Sequence, residues 1–127
     1  CHTRNNDICD SSTDTVAFNG LSAYGEEVVR EMNRVGMMVD VSHISDSSFY
    51  DVLRVTKSPV IASHSSARAL CDSPRNLNDD MLRKLAANGG VVQVCILKTA
   101  TLLQHSYTVT FFGQAQGANA ATEQIQQ

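Results

Sequence analysis

The sequence predicts an α/β fold of about three consecutive βα units, and three observations carry that expectation. Short β-branched, apolar runs begin near residues 37, 60 and 90, and stretches with apolar residues at helical spacing separate them. Gly36, Pro59 and the pair Gly89-Gly90 punctuate the junctions. A histidine also follows each of the first two runs, His43 and His64. Side chains just past the C-terminal ends of parallel strands stand where α/β enzymes assemble their sites.

Residues 1–20, rich in Asn, Asp, Ser and Thr and without a regular period, read as a long loop. Ser22 then caps a helix whose apolar face is Val28, Val29, Met32 and Val35 and whose stop is Gly36. Residues 37–41 read as a strand. Phe49, Val52, Leu53 and Thr56 form the next helical stripe, with Ser45 or Asp46 as its cap, and Ser58 before Pro59 is pushed out of the helical region. Residues 60–63 make the second strand. Asn78 caps a third helix with Asp79 and Asp80 in its first turn and Met81, Leu82 and Leu85 on its buried side. Asn88-Gly89-Gly90 closes it, and residues 91–96 form a third, continuously apolar strand. Three parallel strands alone would leave both sheet edges open, so a larger closed barrel is the better parent structure.

Composition narrows the function. With 127 residues and 43% apolar content the chain is sized for one domain. A net charge of −3 with ten Lys and Arg offers no footprint for nucleic acid, and no run of 18 apolar residues is present to span a membrane. Cys1, Cys9, Cys71 and Cys95 match neither a CxxC redox pair nor a zinc knuckle, and Cys95 reads as a buried strand thiol. Ser65 and Ser66 lack the Gly-x-Ser-x-Gly elbow of a serine hydrolase.

Two imidazoles at consecutive strand ends look like half of a metal site, since neutral imidazole suits zinc and related ions. From spacing alone they read equally as polar strand-end residues, because two ligands do not complete a site. Asp40, between Val39 and Val41, reads either as a carboxylate supporting a ligand or as a structural one. Arg75, eleven residues past His64, is either a clamp for a substrate carboxylate or a solvated arginine. His105 reads as a surface residue.

Several motifs in order alter that balance. Gly36-Met37-Met38-Val39-Asp40-Val41-Ser42-His43, Pro59-Val60-Ile61-Ala62-Ser63-His64-Ser65-Ser66-Ala67-Arg68 and Pro74-Arg75-Asn76-Leu77, with the helix from Gly20 to Arg34 before them, resemble the membrane (renal-type, microsomal) dipeptidase family over about residues 13–96. The resemblance implies a (β/α)8 TIM barrel of the metal-dependent hydrolase type, of which this chain is a partial one. It also implies two zinc ions bridged by a carboxylate and a water or hydroxide, and a dipeptide substrate. His43 and His64 match metal ligands of one ion, and Arg75 matches the arginine that receives the substrate's C-terminal carboxylate.

The resemblance further casts the chain as an internal fragment, 1–96 from the centre of the barrel and 97–127 an atypical tail, flexible or untypically helical. The first-strand His-x-Asp pair, the bridging glutamate, the substrate-binding histidine and the last-strand aspartate have no match here, and His2 matches none of them. Cys1 and Cys71 match positions that are disulfide-bonded in mammalian relatives, without the expected partners. The implied function is a zinc metallodipeptidase, inactive as a fragment. Another barrel hydrolase of amide or lactone bonds and a metal-free scaffold are the competing expectations, a homodimeric intact protein stays open, and localisation is undetermined.

Overall fold

Each helix begins where a side chain holds its first free amides. Ser22, Ser45 and Asn78, all in extended backbone, accept hydrogen bonds from the amides of Gly25, Ser48 and Met81 at the starts of α1 (Ala23–Arg34), α2 (Asp46–Val55) and α3 (Asp79–Ala87). A cap of this kind contributes about 1 kcal/mol. Gly36, at φ 75°, takes the left-handed turn that lets the chain leave α1. The structure, a computed structural model, describes residues 1–95 and 108–111.

β1 (Ile61–Ser65) and β2 (Val91–Cys95) pair in parallel, with α3 as the crossover between them. β3 (Thr108–Phe111) pairs antiparallel to β2, so the sheet runs β1-β2-β3. The expected strands pair in parallel, and β3, where no strand was expected, adds an antiparallel neighbour. The first expected strand is also shorter than its sequence indicated: residues 37–41 reduce to one parallel bridge between Asp40 and Ile61. Its two backbone bonds, Ile61 N–H to the Val39 carbonyl (2.9 Å) and Val41 N–H to the Ile61 carbonyl (2.8 Å), are the slanted pair of a parallel ladder. Met37 and Met38 lie outside it and are exposed.

Beyond Asp40 the ladder stops because side chains replace it. Ile96, His105 and most of the 97–127 tail lie outside the described residues. Within that tail, Thr108–Phe111 is a strand. Cys95, expected to be buried, is half-buried.

Val29 of α1, Phe49 and Val52 of α2, and Met81 and Leu85 of α3 form one buried cluster with Val39, Val41, Val60 and Ala62. The apolar stripes read from the sequence therefore face the core, except that Val35, expected on the α1 stripe, is the C-cap beyond the last helical turn and is exposed. Asn88, just past α3, seats that helix against β1: its Oδ1 accepts the Val60 N–H at 2.9 Å. The N-terminal loop is organised around Asp10, 1% exposed, whose carboxylate accepts hydrogen bonds from the amides of Ala17, Phe18 and Gly20. Among the described residues, no helix is long and apolar enough to cross a membrane.

Gly25 sets how closely this loop approaches α1. A methyl group there would meet the Ile8 carbonyl oxygen at 2.0 Å, a backbone atom that cannot rotate away. Gly25→Ala raises helix propensity by about 1 kcal/mol, but the overlap costs about 1–3 kcal/mol. The expected net result is a lower urea midpoint. A higher midpoint would show that the loop shifts freely.

Candidate metal centre

The two sequence-predicted histidines meet. His43 and His64 stand at the ends of neighbouring strands, with their Nε2 atoms 2.8 Å apart and ring centroids 4.7 Å apart. Two nitrogens on one tetrahedral zinc, each at about 2.05 Å, would stand roughly 3.3 Å apart. The pair needs to open by only about half an ångström to hold a single ion. Among the described residues no group of three or more His, Cys, Asp and Glu is placed to hold a metal. The two imidazoles thus fit half of one ion's coordination.

Local backbone irregularities aim both rings. Ala62 pairs with Val92 and Ser65 with Val94, so β1 takes three steps where β2 takes two. The bulge falls at Ser63 and His64, and such an extra residue re-aims a side chain at a sheet rim. His43 has φ 72°, left-handed backbone that costs a non-glycine residue roughly 1–2 kcal/mol. The N-terminal loop holds it there: the His43 carbonyl accepts the Ser12 N–H at 2.8 Å.

Electrostatics favours the ligand form of His43. Burial first, then the positive charge of Arg75 and the imidazoles of His2 and His64, hold its pKa down at about 4. At neutral pH the ring is uncharged, as metal binding requires. Asp40 lies below the ordinary carboxylate range: burial pushes it up, but hydrogen bonds from Ser63 and Ser42 outweigh burial.

Arg75 belongs to the same cluster. Its Nη2 donates to the His64 carbonyl at 2.6 Å and lies 3.5 Å from His43 Nε2, while its Nε is buried without a partner among the described residues. A buried guanidinium N–H is stabilised by an acceptor such as a carboxylate. Arg68 braces the loop that carries Arg75. It forms a two-pronged ion pair with Asp46 at the start of α2 (2.8 and 2.7 Å) and donates to the Asn76 carbonyl at 3.0 Å.

Sequence reasoning missed two further participants. His2 stacks on His43 at a centroid distance of 4.1 Å, and nothing in its loop-like surroundings signalled this. Ser63 hydrogen-bonds both Asp40 and His64 Nδ1. The signal available for that contact was a carboxylate placed among apolar strand residues, which must find donors if buried.

The sequence model described as membrane dipeptidase, peptidase family M19, matches residues 1–123. The chain belongs to the membrane dipeptidase family. That match runs well beyond residues 13–96, where the motifs lie. An uncharacterized dipeptidase, C965.12, of Schizosaccharomyces pombe is 57% identical over 84 residues, covering 66% of this chain and 20% of that protein. Dipeptidase verJ of Clonostachys rogersoniana is 46% identical over 101 residues, covering 79% of this chain and 26% of that protein. The chain therefore spans about a fifth to a quarter of the length of these dipeptidases.

Among solved structures, the probable dipeptidase PvdM from Pseudomonas aeruginosa superposes with a TM-score of 0.69 at 38% identity, over 71% of this chain and 24% of that one. A metallopeptidase from Rhodobacter sphaeroides, liganded with a phosphinate mimic of the dipeptide L-Ala-D-Ala, gives 0.68 at 30% identity, over 73% of this chain and 28% of that one.

The strained, neutral His43 predicts a pH-dependent stability for this dipeptidase-family chain without metal. Its folded pKa of about 4 lies below the ordinary 6.5, so between these values the unfolded chain binds the extra proton. His43's contribution is complete above 6.5 and is lost as pH falls towards 4, with a slope of up to about 1.4 kcal/mol per pH unit. Asn tolerates left-handed backbone where Ala does not, so His43→Asn should be more stable than His43→Ala by about 1 kcal/mol. Urea unfolding across this range checks both: wild type and His43→Asn running parallel throughout would contradict the titration.

Proposed function

We propose that residues 1–96 are the central part of a zinc-dependent metallodipeptidase with a (β/α)8 barrel, 97–127 being a segment apart from its βα pattern. In this reading His43 and His64 are ligands to one of two zinc ions and Arg75 receives the C-terminal carboxylate of a dipeptide. The observation that carries the reading is the convergence of the two Nε2 atoms beside a guanidinium whose Nε has no acceptor among the described residues. The dipeptide mimic in the Rhodobacter sphaeroides relative supports the substrate class.

When bound, zinc supplies a Lewis acid for the scissile carbonyl and lowers the pKa of water. The residues of this chain do the placing. His43 and His64 offer two neutral nitrogen donors from rigid strand ends, which holds an ion more precisely than mobile loops would. Arg75, anchored through the His64 carbonyl, sets a positive charge next to the ligands, so a short substrate with a free carboxylate is held with its amide near them. A hydrolase of lactones or neutral amides would share the histidines but give the Arg75 Nε no partner.

In the full-length protein, Arg75→Ala should lower kcat/KM for dipeptides by roughly 10- to 100-fold, the equivalent of one charge-assisted hydrogen bond, mainly through KM and with zinc content unchanged. Dipeptides capped as C-terminal amides should be poor substrates for the wild type and little affected by the substitution. Equal turnover of acids and amides would remove the carboxylate role.

His43→Ala or His64→Ala should reduce zinc occupancy and rate together. The 127-residue chain alone, supplied with zinc, should hydrolyse dipeptides no faster than its own His43→Ala, His64→Ala double variant, since the described residues offer ligands for at most half a site. Hydrolysis approaching that of a full-length relative, lost in the double variant and retained at a monomeric elution volume, would overturn this expectation.

A further inference from the structure

We infer that Asp40 and Ser63 are positioning residues for His64: a carboxylate–hydroxyl–imidazole chain fixes the ring with its proton on Nδ1 and turns the bare Nε2 towards His43. Only the last consequence, a better ligand for zinc, rests on the metallodipeptidase reading. The Ser63 hydroxyl lies 2.5 Å from Asp40 Oδ2 and 2.7 Å from His64 Nδ1.

Donor counting sets the direction of the chain. Asp40 Oδ1 accepts the backbone N–H groups of Ser42 (2.9 Å) and Ser63 (3.1 Å), so the carboxylate faces donors on both oxygens. An ionised carboxylate can only accept, and a serine hydroxyl has one hydrogen to give. That hydrogen goes to Asp40, which leaves Ser63 Oγ with lone pairs alone. The proton between Ser63 and His64 must then come from the imidazole, as Nδ1–H. His64 Nε2 is left as an acceptor, and the 2.8 Å contact between the rings is a hydrogen bond donated by His43 Nε2–H.

The two histidines are therefore not equivalent. His64 is held in the tautomer that a metal ligand through Nε2 needs, while His43 has to move its proton before it can coordinate. Outer hydrogen bonds of this type typically carry 10- to 100-fold in metal affinity. The chain also ties the strand of one histidine to the strand of the other, because Asp40 precedes His43 and Ser63 precedes His64.

Ring nitrogen–proton correlation spectra of the metal-free, nitrogen-15-labelled chain, taken where the rings are neutral, read the tautomers directly. Wild type should show His64 as Nδ1–H and His43 as Nε2–H. Asp40→Asn is the decisive variant. Its amide nitrogen, placed at the Oδ2 position, donates to Ser63, so the hydroxyl turns to His64 Nδ1 and the ring should invert to Nε2–H. Ser63→Ala should leave a mixture, and Ser63→Thr should restore Nδ1–H. Zinc titration of the full-length protein should give an affinity about 10- to 100-fold weaker for Asp40→Asn and Ser63→Ala, with Ser63→Thr close to wild type.

His64 found as Nε2–H in the wild type overturns the inference without recourse to any variant. So does an unchanged Nδ1–H ring in both Asp40→Asn and Ser63→Ala with native-like amide spectra. A wild-type His64 in the Nδ1–H form, with a full-length protein that has no zinc affinity, would instead remove the metal reading and leave the positioning chain standing.

Discussion

The Asp40 carboxylate is the constraint on which the site depends. Two backbone hydrogen bonds join residues 39–41 to β1, and then the ladder ends. The Ser63 amide that a continued parallel strand would pair with backbone turns to Asp40 Oδ1, and the His64 amide turns to the Ser42 hydroxyl. Side chains satisfy these amides, so neither strand has to keep extended geometry. That release permits the β1 bulge and the left-handed turn at His43. A continued ladder would hold the chain in regular extended geometry and leave no room for either.

The two distortions have different supports. The bulge sits between parallel partners, with β2 on one side of β1 and the shortened strand on the other. The His43 turn depends on the N-terminal loop, whose Ser12 amide holds its carbonyl. Asp10 holds that loop in shape with a buried carboxylate surrounded by backbone amides, and its own carbonyl accepts the Ser45 amide and the Ser48 hydroxyl at the start of α2. A segment without regular structure thereby fixes the conformation of a candidate ligand. Arg68 does similar work on the other side, pinning the Arg75 loop to Asp46.

Much of this was legible in the residues. The three caps, the Gly36 stop and the stripes of Val29, Phe49, Val52, Met81 and Leu85 follow from local rules about orphan amides and helical period, which operate over four residues at a time. The placing of His43 and His64 at strand ends was legible for the same reason. The extent of the first strand was not. Met37 and Met38 have strand-like character, but a strand exists only where a partner backbone lies alongside, and pairing reaches only Asp40. The antiparallel course of β3 likewise depends on a partner distant in sequence.

The sequence by itself determined the helices, their ends, the apolar faces and the identity of the two imidazoles and Arg75, because each is set by side-chain type and short-range spacing. Tertiary structure alone decided where the ladder stops, that β1 carries an extra residue at Ser63 and His64, that His43 is left-handed, and that His2 lies against it. The physical reason is common to the first three. Each is the outcome of satisfying hydrogen-bonding groups on segments far apart in the chain, and no local propensity records which distant donor will meet which acceptor; the His2 contact likewise joins segments far apart.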